Sequence, residues 1–256
     1  MSTAIPPGRL LLVPTPLDFG CATLAPIQDV LPEGTLSAAA KTTHWITENA
    51  KSTRAFLKRV GEHLPLAQPL QQQTITELPR EVHKKGDHHG RFDARPLLQA
   101  ALEGHDVAMV SEAGMPAVAD PGSSVVRAAH DMGLQVVPLV GPVSLLLALA
   151  ASGLNGQSFA FVGYLPQDAA ERAARIRQLE SLALKTGQTQ MWIETPYRNA
   201  AMLSALLQTL QQGTRLAIAS GLTLAGARIQ SRSAAAWKKS AEGPDANTPA
   251  VFAIGP

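Results

Sequence analysis

Short apolar runs alternate with longer amphipathic segments along most of this 256-residue chain. RLLLVP at residues 9–14 and DVAMV at residues 106–110 are short, largely apolar runs of the kind that forms buried strands. SSVVRAAHDMG at residues 123–133 and AAERAARIRQLESLAL at residues 169–184 carry apolar residues at helical spacing. Because strands that alternate with helices are typical of layered α/β proteins, the pattern predicts an α/β fold with mainly parallel or mixed sheets.

Three local expectations follow from the same pattern. Residues 46–61, ITENAKSTRAFLKRVG, predict a helix that ends near Gly61. Residues 68–91 are polar and rich in Gln and His, which predicts a long loop. Ser123 is the candidate N-cap of the helix that follows it.

The chain is long enough for two domains of ordinary size, and its apolar fraction of 45% is typical of a globular interior. The stretch ASGLNGQS at residues 151–158 has the composition of a linker. Division there predicts an N-terminal α/β domain at residues 1–153 and a C-terminal α/β domain at residues 154–256.

Charge and cysteine content narrow the classes of function. Lys and Arg number 22 against 20 for Asp and Glu, so any nucleic-acid site must be a local feature. The single cysteine, Cys21, excludes an intrachain disulfide framework and a cysteine-rich zinc site. The first residues do not resemble a signal peptide, and the longest apolar run, LLLALAA, is too short to span a bilayer. We therefore expect a cytoplasmic protein without a membrane partner.

Several predicted strands end in loops of small and turn-forming residues. These loops are VPTP at residues 13–16, SEAGMP at 111–116, VGP at 140–142, GYLP at 163–166 and ETP at 194–196. Such sequences are also ordinary turn chemistry, so one of them alone carries little information. In parallel α/β sheets, however, ligands bind outside the carboxyl ends of the strands. We therefore expect the five loops to line one crevice.

The order of VPTP, VSEAGMPAVADPG, VVPLVGPVSLLLALAASGL, FVGYLP and ETPYR resembles the tetrapyrrole methylase superfamily, which depends on S-adenosylmethionine. Within it, the chain is most similar to the ribosomal RNA small subunit methyltransferase I group, whose second motif usually reads SDAGTPLISDPG. The resemblance implies two α/β domains with a cofactor cleft between them, and a homodimer. The residues it implies for cofactor binding are Pro14, Ser111, Ala113, Gly114, Met115, Pro116, Val140, Gly141, Pro142, Val143, Tyr164, Leu165, Thr195 and Pro196.

The acceptor that the resemblance implies is a ribose 2′-hydroxyl of 16S ribosomal RNA, free or in the small ribosomal subunit. Methylation of such a hydroxyl favours a base or a cation that handles the developing charge. The catalytic candidates are Glu112, Glu48 and Arg54. The alternatives are a helix-cap carboxylate for Glu112, a solvated surface carboxylate for Glu48 and a surface cation for Arg54.

The resemblance is weaker in the segments that lie toward the acceptor. VPTPLDFG stands where the group has VPTPIGNL, ITENAKSTR stands where it has AEDTR, and QPLQQQTITELPRE does not match its HDHNE segment. Two alternatives therefore stay open: a methyltransferase of a tetrapyrrole or another small molecule, and a non-catalytic cofactor-binding relative. A nicotinamide dehydrogenase is disfavoured because GxGxxG does not follow the first strand.

The stretch HKKGDHHGR at residues 83–91 is a second candidate contact with nucleic acid, and a solvated loop is the alternative interpretation. His83, His88 and His89 lack a framework of carboxylates or cysteines at familiar spacing. We therefore predict no metal.

Overall fold

The computed structural model describes residues 5–85, 87, 92–240, 242–244 and 247–256. The chain divides into two compact units, one made of the residues up to Phe19 with Ala25–Val143 and one made of Gly20–Leu24 with Ser144–Pro256. This division differs from the predicted domain boundary after residue 153, because helix Ser144–Ser152 packs against strands of the second unit.

The described strands of the first unit form one parallel sheet. Its order is β3-β2-β4-β1-β5, and the register aligns Leu10 with Val107 on one side and Val136 on the other. All four residues of the central strand β4 are buried, which explains its unbroken apolar sequence. The strands are β1 (Leu10–Val13), β2 (His44–Thr47), β3 (Thr74–Glu77), β4 (Val107–Val110) and β5 (Val136–Pro138).

Helices cover both faces of this sheet. Neighbouring strand residues point to opposite faces, and they accordingly belong to two different apolar clusters: Leu10 and Ile46 to one, Leu11 and Trp45 to the other. The helices are α1 (Ile27–Val30), α2 (Glu33–Lys41), α3 (Ala50–His63), α4 (Arg80–Lys85), α5 (Gln99–Leu102) and α6 (Ser123–Asp131), with 3-10 turns at Leu70–Gln72 and Arg95–Leu98.

The structure corrects two of the local expectations. The predicted helix at residues 46–61 begins only at Ala50, because the residues before it form strand β2 and Asn49 caps the helix by accepting from the Lys51 amide. The predicted loop at residues 68–91 contains β3 and α4. β3 is an edge strand whose residues are mostly exposed, so its sequence TITE lacks the apolar signal that would have revealed it.

The second unit contains a mixed sheet of order β6-β7-β10-β8-β9. Only β6 and β7 pair in parallel; the other described pairs are antiparallel. The predicted α/β fold class with mainly parallel or mixed sheets is confirmed: the first sheet is parallel and the second is mixed. The strands are β6 (Phe159–Phe161), β7 (Thr189–Glu194), β8 (Arg215–Ser220), β9 (Arg228–Ser233) and β10 (Ala250–Gly255).

The core of the second unit lies between this sheet and its helices. Trp192 of β7 and Phe252 of β10 stack with ring centroids 6.0 Å apart, and both are fully buried. In the described residues, no helix combines the length and the apolar character needed to cross a membrane. The helices are α7 (Ser144–Ser152), α8 (Ala169–Thr186), α9 (Asn199–Thr209) and α10 (Ala234–Lys238), with a 3-10 turn at Pro196–Arg198.

Candidate active site

Three of the predicted strand-end loops follow neighbouring strands of the first sheet, so they share its carboxyl edge. The first two loops are joined directly. The Thr15 amide donates to the Gly114 carbonyl at 3.0 Å, and the Gly114 amide donates back to the Thr15 carbonyl at 3.0 Å. The Thr15 hydroxyl also donates to the Ser111 carbonyl at 3.2 Å. VPTP and SEAGMP therefore form one bonded unit.

Close approach between these loops explains their small residues. Gly114 has φ +80°, and a Cβ there would lie 3.1 Å from Leu17 Cδ2. A Cβ on Gly141 would lie 2.3 Å from Pro14 Cγ, which is not possible without a shift of the backbone. Glycine is thus required where VGP packs on VPTP.

The turn between the second loop and helix α6 is strained. Ala117 and Ala119 both have φ +63°, a conformation that non-glycine residues adopt at a cost of about 1–2 kcal/mol each. Gly122 has φ +136°, and a Cβ there would lie 2.5 Å from Met109 Cε. Such strain is typical of segments that the surrounding structure holds for function.

Asp87 holds the end of this turn. Its buried carboxylate accepts from the Gly122 amide at 2.9 Å, the Ser124 amide at 2.8 Å, the Ser123 hydroxyl at 2.8 Å and the Ser124 hydroxyl at 2.6 Å. Burial alone would raise the pKa of Asp87, but these hydrogen bonds outweigh burial and lower it. The prediction of Ser123 as N-cap is wrong: Gly122 holds that position and Asp87 supplies the capping oxygen.

Three carboxyl groups lie near one another at the same edge. Glu48 follows β2, and Glu112 and Asp120 lie in the segment after the adjacent strand β4. The Asn49 side-chain amide donates to Glu112 Oε1 at 3.0 Å, which connects the segments after the two strands. The alternative of a helix-cap role for Glu112 is therefore not what the structure shows.

Burial and mutual repulsion raise the pKa of two of these acids. For Glu48 the pKa rises to about 8 through burial first and then through the charges of Asp120 and Glu112. For Asp120 burial and the Glu112 charge outweigh a hydrogen bond from Ser111 and raise the pKa to about 6. Glu48 Oε1 is buried without a hydrogen-bond partner among the described residues. The alternative of a solvated Glu48 is thus wrong.

Arg54 does not join the acids through any described hydrogen bond or ion pair. It lies on the exposed face of α3, and its Nη1 makes one long contact of 3.4 Å with the Ala50 carbonyl. The structure therefore leaves its guanidinium facing solvent, one helical turn from the start of α3.

The remaining two loops follow the parallel neighbours β6 and β7 of the second sheet. The Ile193 amide donates to the Gly163 carbonyl at 3.1 Å, and Arg198 Nη2 donates to the Leu165 carbonyl at 3.3 Å. The Tyr164 side chain is exposed, whereas that of Leu165 belongs to the core. These contacts bring GYLP and ETP together, and a crevice shared with the first three loops stays a prediction.

A comparison with known protein families shows to which family the chain belongs. The family model of the tetrapyrrole (corrin/porphyrin) methylases matches residues 39–236, more than two thirds of the chain. The chain belongs to the tetrapyrrole methylase family. The predicted resemblance is confirmed, and the predicted enzyme class, a methyltransferase dependent on S-adenosylmethionine, is that of the family.

Curated relatives carry the name ribosomal RNA small subunit methyltransferase I. The protein of that name from Mesorhizobium japonicum is 40% identical over 53% of this chain and 45% of its own length. The one from Xylella fastidiosa is 32% identical over 83% of this chain and 67% of its own length. The chain thus spans about half the length of the first of these relatives.

Solved structures agree on the fold. The methyltransferase CobJ matches 97% of this chain and 94% of its own at a TM-score of 0.55 and 18% identity. The uroporphyrin-III-C-methyltransferase from Thermus thermophilus matches 97% of this chain and 92% of its own at a TM-score of 0.51 and 17% identity. At such identities the likeness concerns the fold alone.

Sequence reasoning missed the roles of Asn49, Asp87 and Asp120. Asp120 lies in the motif VSEAGMPAVADPG directly before Pro121-Gly122, so its position is typical of an ordinary turn. Asp87 lies inside HKKGDHHGR, whose basic residues predict a contact with nucleic acid rather than a capping role. His88 and His89 lie outside the described residues, as does the side chain of His83. Within the part of the chain that the structure describes, no cluster of potential metal ligands occurs.

Proposed function

We propose that this protein transfers a methyl group from S-adenosylmethionine to a ribose 2′-hydroxyl of small-subunit (16S) ribosomal RNA. The observation that carries the proposal is the acidic edge of the first sheet, where Glu48 has a buried carboxyl oxygen without a described hydrogen-bond partner and a pKa raised to about 8. The names of the curated relatives support the acceptor.

The edge fits a cationic cofactor. When bound, S-adenosylmethionine would supply a methyl group on a sulfonium sulfur; the acceptor oxygen would bond to that methyl carbon as the sulfur leaves, without a covalent intermediate on the protein. Glu112 and Asp120 offer negative charge for that cation. The predicted contacts of the first unit are Pro14, Ser111, Ala113, Gly114, Met115, Pro116, Val140, Gly141, Pro142 and Val143.

We assign Glu48 as the base that removes the hydroxyl proton. Glu112 accepts a hydrogen bond from Asn49, and Asp120 accepts one from Ser111. Glu48, by contrast, has a buried oxygen without a described hydrogen-bond partner. A base is most effective when its pKa is close to the working pH. A cation bound at the same edge would lower the pKa of Glu48 and favour its ionised form. Arg54 would bind a phosphate of the acceptor strand.

The test has two parts that fail independently. Calorimetric titration with S-adenosylhomocysteine is expected to show binding at one site per chain, and absence of binding by folded protein would refute the cofactor assignment. Mass spectrometry of 16S ribosomal RNA from cells with and without the protein is expected to show the loss of one ribose methyl. An unchanged RNA profile with intact cofactor binding would refute the acceptor alone.

The second candidate acceptor is a tetrapyrrole or another small molecule. It is favoured by the match to the tetrapyrrole methylase model over residues 39–236. Incubation with S-adenosylmethionine and a uroporphyrinogen would yield a methylated tetrapyrrole if this candidate is correct. Cofactor binding with neither methylated RNA nor methylated tetrapyrrole would favour a non-catalytic relative.

We also propose a cytoplasmic homodimer. The family resemblance supports the dimer, and an acceptor in the ribosome supports the compartment. Sedimentation equilibrium is expected to give twice the chain mass of 27.0 kDa, and a single-chain mass at micromolar concentration would refute the dimer.

A further inference from the structure

Helix α3 carries a straight stripe of cations on its exposed face. Lys51, Arg54 and Lys58 are all exposed and are spaced three and four residues apart, so they lie on one side of the helix. The opposite side is buried through Thr53, Phe56, Leu57 and Val60. We call Lys51, Arg54 and Lys58 the α3 stripe.

Among the described residues, none of the three cations takes part in an ion pair. Arg59 on the same helix, by contrast, is held by both oxygens of Asp18 at 3.0 Å each. Glu62 lies one turn beyond Lys58 and marks the end of the positive surface. The other described arginines with ion-pair partners are Arg9, Arg95, Arg198 and Arg232. Within the described part of the chain, the cations of the stripe therefore do not serve to form ion pairs.

Helix stability does not account for the stripe either. The first turn of α3 contains no acidic residue, and Lys51 stands where the helix dipole disfavours a cation. A helix selected for stability alone would carry Asp or Glu there. The negative charge at this helix start comes instead from β3, where the Glu77 carboxylate accepts from the Ala50 amide at 2.7 Å. Lys51 is tolerated beside it, but helix stability does not explain why a cation stands there.

The position of the stripe connects it to the acidic edge. Glu48 precedes the cap residue Asn49, which bonds to Glu112 and to the first turn of α3. The stripe therefore begins within a few residues of the assigned base and runs away from it. From Lys51 to Lys58 it covers about 10 Å, at a helical rise of about 1.5 Å per residue.

We propose that the α3 stripe binds the sugar-phosphate backbone of ribosomal RNA beside the methylated nucleotide. This inference rests on the proposed function, and it assigns the surface that places the acceptor. A strand that carries one phosphate per roughly 3.4 Å along a helix axis offers several charges over the length of the stripe. The stripe lacks large apolar side chains, which suits a phosphate backbone better than an apolar protein surface. Contacts of this kind position the substrate without reading its sequence.

The test compares two variants with the same loss of charge. One is Lys51→Gln/Arg54→Gln/Lys58→Gln, and the control is Arg177→Gln/Lys185→Gln/Lys238→Gln, which removes three exposed cations of the second unit. Affinity for unmethylated small ribosomal subunits and for protein-free 16S RNA is measured over a range of salt. A plot of log affinity against log salt concentration has a negative slope, and in the stripe variant this slope is expected to be smaller in magnitude by about two to three. At 0.1 M salt, the affinity of the stripe variant is expected to be about 10²-fold lower than that of the wild type. The control is expected to stay near the wild type.

Several outcomes would overturn the proposal. An unchanged salt slope in the stripe variant would refute it while leaving the proposed function intact, and so would equal losses in the two variants. A defect on intact subunits but not on protein-free RNA would assign the stripe to an acidic ribosomal protein instead. Unmethylated RNA with the wild-type enzyme would refute the function together with the stripe. Affinity for S-adenosylhomocysteine is expected to be equal in the wild type, the stripe variant and the control variant, which would show that all three are folded. The charge-conserving variant Lys51→Arg/Arg54→Lys/Lys58→Arg is expected to bind RNA like the wild type.

Discussion

The two sheets end in similar loops but in different chemistry. At the edge of the first sheet, Glu48 is half-buried, its buried Oε1 has neither a hydrogen bond nor an ion pair among the described residues, and its pKa is raised to about 8. At the edge of the second sheet, Glu194 is fully buried; its Oε2 likewise forms no described hydrogen bond, but it forms an ion pair with Arg198 at 3.1 Å, and its Oε1 accepts from the Thr195 amide at 2.8 Å. A buried acid without a partner is suited to proton transfer, whereas a paired one is suited to holding structure. Loops of small residues after a strand therefore occur both at a candidate catalytic acid and at an acid with a structural role.

The largest effect is expected from Glu48→Gln, which removes the assigned base. Single-turnover methyl transfer should fall by about 10²- to 10⁴-fold, with little change in affinity for S-adenosylhomocysteine. In the wild type the single-turnover rate should rise with pH as Glu48 ionises and level off below about 8, because the bound cation lowers the pKa of Glu48, and the variant should lose that rise. A variant that keeps both the wild-type rate and the pH profile would exclude Glu48 as the base.

The next effect concerns the second sheet and acts on stability. Glu194→Ala leaves the half-buried Arg198 without its partner, so the free energy of unfolding should fall by about 3–5 kcal/mol. Urea denaturation followed by circular dichroism measures this change. Arg177→Ala on the exposed face of α8 is the control and should unfold near the wild-type midpoint. A Glu194→Ala protein as stable as the wild type would show that the pair does not hold the GYLP and ETP loops.

Asp87→Ala is expected to have a smaller effect that spreads to the strained turn. Loss of the carboxylate leaves the Gly122 and Ser124 amides without their acceptor, at a cost of about 2 kcal/mol in unfolding free energy. Hydrogen exchange of residues 117–124 should accelerate more than exchange of the second unit. Asp93→Ala, which removes an exposed carboxylate six positions after Asp87 in the sequence, should leave exchange at residues 117–124 unchanged. Equal exchange in wild type and Asp87→Ala would separate Asp87 from the turn.

These contacts show where sequence reasoning was sufficient and where it was not. The strands of the first sheet carry continuous apolar runs at β1 and β4, so local composition was enough to predict them and the loops after them. The edge strand β3 has the exposed sequence TITE, which does not differ from a loop by composition.

The candidate site was predictable only in part, for a related reason. Motif order pointed to Glu48 and Glu112, but the capping of α6 by Asp87 joins residues 35 to 37 positions apart. Likewise, the raised pKa of Asp120 depends on the burial of its side chain and on the nearby charge of Glu112. Long-range contacts of this kind leave no periodic trace in a single sequence.

The smallest expected effect is the contribution of Glu48, at the edge of the first sheet, to the pH dependence of the unfolding free energy. Glu48 has a folded-state pKa of about 8 against an ordinary value of 4.5, so the folded protein binds a proton that the unfolded chain releases. That stabilisation is complete below about pH 4.5 and is lost as pH rises toward 8. The unfolding free energy of the wild type should therefore drop by about 1–3 kcal/mol relative to Glu48→Gln between pH 5 and pH 8. Urea midpoints measured at both pH values check this, with the exposed Glu62→Gln as control. Parallel curves for wild type and Glu48→Gln would mean that the Glu48 carboxyl is solvated and that the first edge, like the second, only holds structure.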